Sequence, residues 1–232
     1  MTKQFLTIFV VFFLLGVQCM SQDEEKKTSP SEPFETAEVY FEQNATDGDA
    51  EVVFKATAGD NGLTKLLVIA PDDRTVIDFE IPDQSTMGIR SFQLESPEPK
   101  DIEAVKKAYP SGVYKFSGTT TDGTAYFSEA TLKHTLPSAV AIHHPANEAE
   151  DVSTKGLEIT WSPVEGVVAY LIEVEQEDSD VKIEATLLSS ETSFLVPEKF
   201  LLPDTEYKVV VGSVSEDGNL NFVEVAFSTA KK

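Results

Sequence analysis

Apolar residues recur at every second position through most of the chain, which predicts strands with one face on a core. In the second half, Tyr207, Val209 and Val211 share a face. Strands are expected at 157–161, 168–175, 181–188, 193–196, 205–214 and 222–229. Asp217-Gly218-Asn219 supplies the last hairpin turn. In the first half, Val39 and Phe41 alternate with Tyr40 and Glu42, and Val52, Val53 and Phe54 begin a return strand. The turn-rich stretch 44–49 lies between them. Further strands are expected at 65–70, 75–81, 89–95, 112–117 and 125–132, the last two joined through Asp122-Gly123. One stretch breaks the alternation. Over 100–109, Ile102, Val105 and Tyr109 fall on one helical face, with Pro99 suited to the first turn and Pro110 ending it. The pattern predicts an all-β chain. Two antiparallel β-sandwiches stand in tandem, at 34–137 (Ig-like) and 138–232, with one short helix plugging the first. The join between them has no long Gly/Ser or Pro-rich spacer, so close coupling is expected.

Leu201, Pro203, Thr205 and Tyr207 stand at two-residue spacing. This stretch resembles the strand E–F corner of the fibronectin type III family, Leu-x-Pro-x-Thr-x-Tyr. The resemblance implies that the Tyr207 hydroxyl bonds back to upstream backbone and pins the crossing between sheets. Trp161, Tyr170 and the run 221–229 stand where that family has its other landmarks. The stretch 143–152 is similar to the opening of bacterial members. The likeness covers about residues 138–232 and implies fold, not activity. Through 44–49, 109–123 and 130–137, the chain looks like a family of exported bacterial two-domain proteins with no known activity, a likeness that covers nearly the whole mature chain.

Charge narrows the partners. With 18 Lys+Arg against 40 Asp+Glu, the net charge is −22. Nucleic acid and anionic membrane surfaces both need a basic patch and are disfavoured. The N-terminus predicts export. Lys3 precedes an apolar run from Phe5 to Val17, too short for a span of roughly 20 residues and fit for a signal segment. Cleavage after Ser21, with Cys19 and Ser21 at −3 and −1, is the preferred reading, giving a secreted or periplasmic protein. The alternative is a lipid anchor on Cys19, the only cysteine. No transmembrane span is expected after signal removal. Residues 22–33 hold no large apolar side chain and are expected to be a disordered leader.

Candidate chemistry is thin. His143 and His144 are adjacent and point to opposite faces of a strand, poor geometry for a shared metal, and only His134 could join them. Asn44, Asp47 and Asp49 are the least implausible calcium ligands, although Asn and Asp are also ordinary turn residues. Asn44-Ala45-Thr46 is a formal glycosylation sequon, relevant only on a eukaryotic secretory path. No Gly-x-Ser-x-Gly elbow, His-Glu-x-x-His, phosphate loop, dinucleotide fingerprint or Arg-Gly-Asp is present. Tyr40, Tyr126 and Phe127 are candidate exposed aromatics for a glycan or peptide platform.

These readings favour a non-catalytic binding or structural, adhesion-type module of the cell envelope or extracellular space, without cofactor. Its partner is an unspecified protein or glycan, taken by loops at a sandwich end or by a sheet edge. The alternatives are a hydrolase or accessory domain acting on polysaccharide, and a calcium-stabilised spacer. Converging acids of perturbed pKa favour the enzyme, and an apolar or aromatic surface favours the binder.

Overall fold

The computed structural model of the protein describes residues 31–83, 85–179 and 181–231. The signal segment 1–21, Cys19 and most of the leader lie outside the described residues. The first unit contains β1 (Thr36–Asn44), β2 (Ala50–Thr57), β3 (Leu63–Ile69), β4 (Thr75–Glu80), β5 (Ser91–Glu95), α1 (Ile102–Ala108), β6 (Gly112–Thr120) and β7 (Ala125–Leu132). The second contains β8 (Ile142–His144), β9 (Ala149–Val152), β10 (Glu158–Trp161), β11 (Val167–Gln176), β12 (Lys182–Leu188), β13 (Ser193–Leu195), β14 (Glu206–Ser215) and β15 (Leu220–Thr229). The chain is all-β apart from α1, with two sandwiches in tandem.

Each sandwich closes on its own core. In the first, β1, β2 and β5 face the sheet β4-β3-β6-β7. Phe41, Val52, Phe54, Leu66, Tyr114 and Phe116 fill the space between. In the second, β12, β11, β14 and β15 face β13-β10-β8 across Trp161, Tyr170, Ile172, Tyr207, Val209 and Val211. Alternation assigns these side chains inward, and burying each contributes on the order of 1.5–3 kcal/mol.

Helix α1 is held by local chemistry. The Asp101 carboxylate accepts from the Ala104 amide at 3.1 Å, Glu103 sits in the first turn, and Lys106 and Lys107 sit in the last. It buries Val105 against the first core, flanked by Ile102 and Tyr109.

Three features depart from the pattern read along the chain. Strands β8 and β9 lie in the stretch read as a join, because three or four residues are too few to show a period. Glu32, assigned above to a disordered leader, is bridged to β7. Its amide donates to the Ala125 carbonyl at 2.9 Å, and its carbonyl accepts from the Phe127 amide at 2.8 Å. Backbone pairing needs no apolar side chain, so composition cannot reveal it. The third departure is the largest. Strand β15 pairs in parallel with β1, giving one eight-stranded sheet in the order β12-β11-β14-β15-β1-β2-β5, with β9 also pairing β15 in parallel.

Candidate functional site on the outer face of the joined sheet

The joint is built from backbone and amide groups. Glu42, Gln43 and Asn44 stand in register with Leu220, Asn221 and Phe222. The Ala45 amide donates to the Phe222 carbonyl at 2.8 Å, and the Glu224 amide donates to Thr46 Oγ1 at 2.8 Å. Asn219 is the clamp. It is fully buried, its Oδ1 accepts from the Phe41 amide at 2.8 Å, and its Nδ2 donates to the carbonyls of Lys133 and Thr135, each at 2.9 Å. Asn221 Nδ2 donates to the Pro137 carbonyl at 2.9 Å, and Ser213 Oγ to the Ser138 carbonyl at 2.7 Å. The linker between the sandwiches is thus tied down by side chains of the second. Lys133 and Asp217 add an ion pair at 2.6 Å. Gly218, with φ of 81°, allows the turn that delivers Asn219.

The residues that alternate away from the two cores form one continuous outer face. Its floor is apolar. Val53, Val210 and Leu220 are buried yet belong to neither core, and Leu171 is half-buried beside them. Gly212 makes room, since a Cβ there would meet Leu220 Cδ1 at 2.7 Å. Two adjoining cavities, of about 450 and 350 Å³, open here and share Tyr40, Lys55, Leu171 and Leu220.

On the second-sandwich side of this face, four glutamates each have a lysine within 4 Å. Lys182 lies 2.8 Å from Glu173 and 3.3 Å from Glu184, and Lys208 lies 3.4 Å from Glu175 and 3.8 Å from Glu224. The Glu173 carboxylate, through its hydrogen bond, raises the pKa of Lys182. Burial works against the Lys208 charge, but Glu224 and Glu175 outweigh it and raise its pKa.

The first-sandwich side is not neutralised. Glu42 and Glu51 stand directly opposite each other, and Glu95 stands opposite Val53, one strand repeat from Glu51. Glu51 is only 8% exposed, and its Oε2 has no hydrogen-bond partner among the described residues. Burial, then the charges of Glu42, Glu98, Glu95 and Asp49, push the Glu51 carboxyl up to about 8. Burial, then Glu95, push Glu42 up to about 7, against the pull of Lys55. Burial, then Glu42 and Glu38, raise the Tyr40 hydroxyl. Lys55 lies over the Tyr40 ring, 5.2 Å from its centroid.

The residues singled out in the sequence fall elsewhere, with one exception. Tyr40 lines both cavities, whereas Tyr126 packs on Phe34 in the first core and Phe127 is exposed on β7. Asn44, Asp47 and Asp49 come together at the β1–β2 tip. There Asn44 Oδ1 accepts from the Thr46 amide at 2.9 Å, and Asp47 Oδ1 accepts from the Asp49 amide at 3.3 Å. Burial, then Asp47, raise the Asp49 carboxyl. Among the described residues no three His, Cys, Asp or Glu are grouped to hold a metal ion. His134 is held by backbone. Its Nε2 donates to the Tyr109 carbonyl at 2.8 Å, leaving Nδ1 to accept from Ser111 Oγ at 3.0 Å. His143 and His144 are exposed on β8.

At the corner before β14, the Tyr207 hydroxyl donates to the Phe200 carbonyl at 3.1 Å and accepts from the Leu202 amide at 2.8 Å. Leu201 is buried beneath it. Thr205 Oγ1 donates to the Pro203 carbonyl at 3.0 Å, and its amide donates to Thr229 Oγ1 at 3.0 Å. Trp161 packs edge-on against Tyr170, with centroids 5.6 Å apart. Glu51 and Lys55 were not singled out in the sequence, because the burial of Glu51 arises only after folding and leaves no local mark.

The chain was compared with known proteins. A search of curated proteins found no match. Among solved structures, a two-domain fibronectin type III segment from chicken tenascin is 13% identical over 84% of this chain and 99% of that one, with a TM-score of 0.31. The fibronectin(III)-like modules of Clostridium thermocellum CbhA are 11% identical over 88% and 92%, with a TM-score of 0.34. The FN1–FN3 domains of chicken CNTN1 are 12% identical over 86% and 66%, with a TM-score of 0.29. These comparisons do not show the expected resemblance to a family of exported bacterial proteins. The family model for the fibronectin type III domain matches residues 144–228, the span from the end of β8 to the end of β15 that carries the Tyr207 corner. The second sandwich is therefore a fibronectin type III domain.

Proposed function

We propose that the chain is a non-catalytic binding module whose two sandwiches act as one body and take their ligand on the outer face of the joined sheet. The observation that carries this reading is the β1–β15 pairing, which creates a single face across both domains. The two adjoining cavities are of ligand size, and their apolar floor is bordered by polar side chains. The partner is a protein or glycan met outside the cell. Export rests on the apolar stretch from Phe5 to Val17, followed by release after Ser21 or anchoring on Cys19. No helix of the described residues is long and apolar enough to cross a membrane.

The test is amide-resonance mapping against oligosaccharide and peptide panels, repeated on Leu171→Arg. The reading predicts perturbations on β1, β11 and β15 that Leu171→Arg removes. Perturbations confined to end loops, or to the outermost strands β12 and β5, would overturn it.

One observation favours a second reading, a polysaccharide hydrolase: Glu42 and Glu51 hold protons near neutral pH. Against it, Glu51 is only 8% exposed and its Oε2 is shielded from solvent, a poor placement for protonating a glycosidic oxygen. Reducing-sugar release from a polysaccharide panel, abolished by Glu42→Gln, would establish the hydrolase. Absence of release is the expected result.

A further inference from the structure

Resting on the reading of this face as a binding surface, we propose that its first-sandwich side is a subsite for a lysine or arginine side chain. That side chain is borne on an extended peptide lying across the strands toward the fibronectin type III domain. Three observations converge. Glu42 and Glu51 are cross-strand neighbours with Glu95 one repeat along, and Cβ atoms of such pairs lie about 5 Å apart. Glu51 is buried with an oxygen that has no donor, a costly state for a carboxylate unless it holds a proton or a positive charge stands close by. The base nearest them, Lys55, lies over the Tyr40 ring and makes no ion pair among the described residues. Farther across the same sheet, on β14 and β12, the paired arrangement is present, with each lysine within 4 Å of two glutamates.

The chemistry selects among cations. Calcium and transition metals need several converging ligands, and no such group exists among the described residues. An ammonium or guanidinium group needs only one or two carboxylate oxygens. Glu42 is half-buried and Glu95 exposed, so these two touch the incoming cation while Glu51 adds its charge from behind. The rest of the ligand follows from the floor. From Glu42 on β1 to Leu171 on β11 is three strand spacings, about 14 Å, which four or five extended residues cross. A free amine would leave Val210, Leu220 and Leu171 unused, and a neutral glycan would leave the acids uncompensated.

Binding is read by calorimetry with an acetylated hexapeptide of one lysine followed by alternating leucine and glycine. The comparisons are its norleucine counterpart and putrescine. We expect norleucine to weaken binding at least about tenfold, Glu42→Gln to do the same, and Glu51→Gln to cost about threefold. The double variant Glu148→Gln, Glu150→Gln, in a separate acidic hollow, leaves the affinity unchanged and controls for net charge. Affinity also falls from about pH 9 to about pH 6 as Glu42 and Glu51 take up protons; the facing charges are Glu95, Glu98, Asp49 and Lys55. In Glu42→Gln, Glu51→Gln that fall disappears. Equal binding of both peptides, lost in Leu171→Arg, overturns the subsite and leaves the face as the binding surface. Equal loss in the control double variant, putrescine as tight as the peptide, or no binding by either peptide each overturns the subsite. If, in addition, no panel member perturbs the face, the binding surface falls with it. Melting of each variant at about pH 6 no lower than that of the wild-type protein confirms that the loss is not unfolding.

Discussion

The two halves of the joined sheet's outer face lie on one sheet and differ in how their acids are paired. On the fibronectin side, Lys182 and Lys208 each lie within 4 Å of two glutamates, and those pairs are half-exposed. On the first-sandwich side, Glu42, Glu51 and Glu95 stand together, and burial has removed much of the water that would screen Glu51 and part of that around Glu42. A surface whose acids each have a lysine within 4 Å has less to offer a charged ligand. A surface left short of cations at neutral pH is either protonated or waiting for one. The difference teaches that acidity alone says little about a −22 chain; what matters is where acids are desolvated without a partner.

The contrast depends on the halves being one sheet, so the largest effect should come from the clamp. Asn219→Ala leaves the Phe41 amide and the Lys133 and Thr135 carbonyls without their partner. It should cost on the order of 3 kcal/mol, about 10 °C in melting temperature. Calorimetry should then resolve two transitions in place of one. A cost near zero would break the comparison at its root.

The next effect has the opposite sign. The folded Glu51 carboxyl holds its proton up to about pH 8, against an ordinary value of 4.5. Folding therefore takes up a proton between those values, and stability falls as pH rises from 4.5 through 8. Glu42 acts in the same sense up to about pH 7. Glu51→Gln should stabilise by on the order of 1 kcal/mol near pH 8, with the gain fading toward pH 5. A loss of stability in the alkaline range would mean that the Glu51 charge is already compensated.

Lys55→Met removes the cation that, among the described residues, lowers the Glu42 pKa. It should move the Glu42 titration upward in carbon-detected spectra while changing stability by less than about 1 kcal/mol. Smallest of all, Lys208→Ala should cost no more than about 0.5 kcal/mol, because partly exposed ion pairs contribute little. A larger cost there than at Glu51 would reverse the ranking of the two halves.

Much of the fold can be read in the chain. Tyr207, Val209 and Val211 alternate cleanly, and the helix at α1 is bounded by Pro99 and Pro110. The candidate site cannot be read there. Asn219 looks like a turn residue beside Gly218, and nothing local shows that it reaches the Phe41 amide 178 positions away. Val53, Val210 and Leu220 occupy solvent-side positions of the alternation, and they are buried because the neighbouring strands and their longer side chains cover them. Strand partners are chosen by tertiary assembly, and a parallel pair between residues near 43 and near 221 leaves no periodic trace.

Native-state hydrogen exchange of the Phe41 and Ala45 amides tests the joined sheet most directly, because both donate across the junction, to Asn219 Oδ1 and to the Phe222 carbonyl. A single body with a continuous sheet predicts that both exchange as slowly as core-strand amides such as those of Val209 and Val211, and lose that protection in Asn219→Ala. Exchange of both amides at the rate of exposed loops, with the core amides still protected, would contradict it and return the chain to two independent sandwiches.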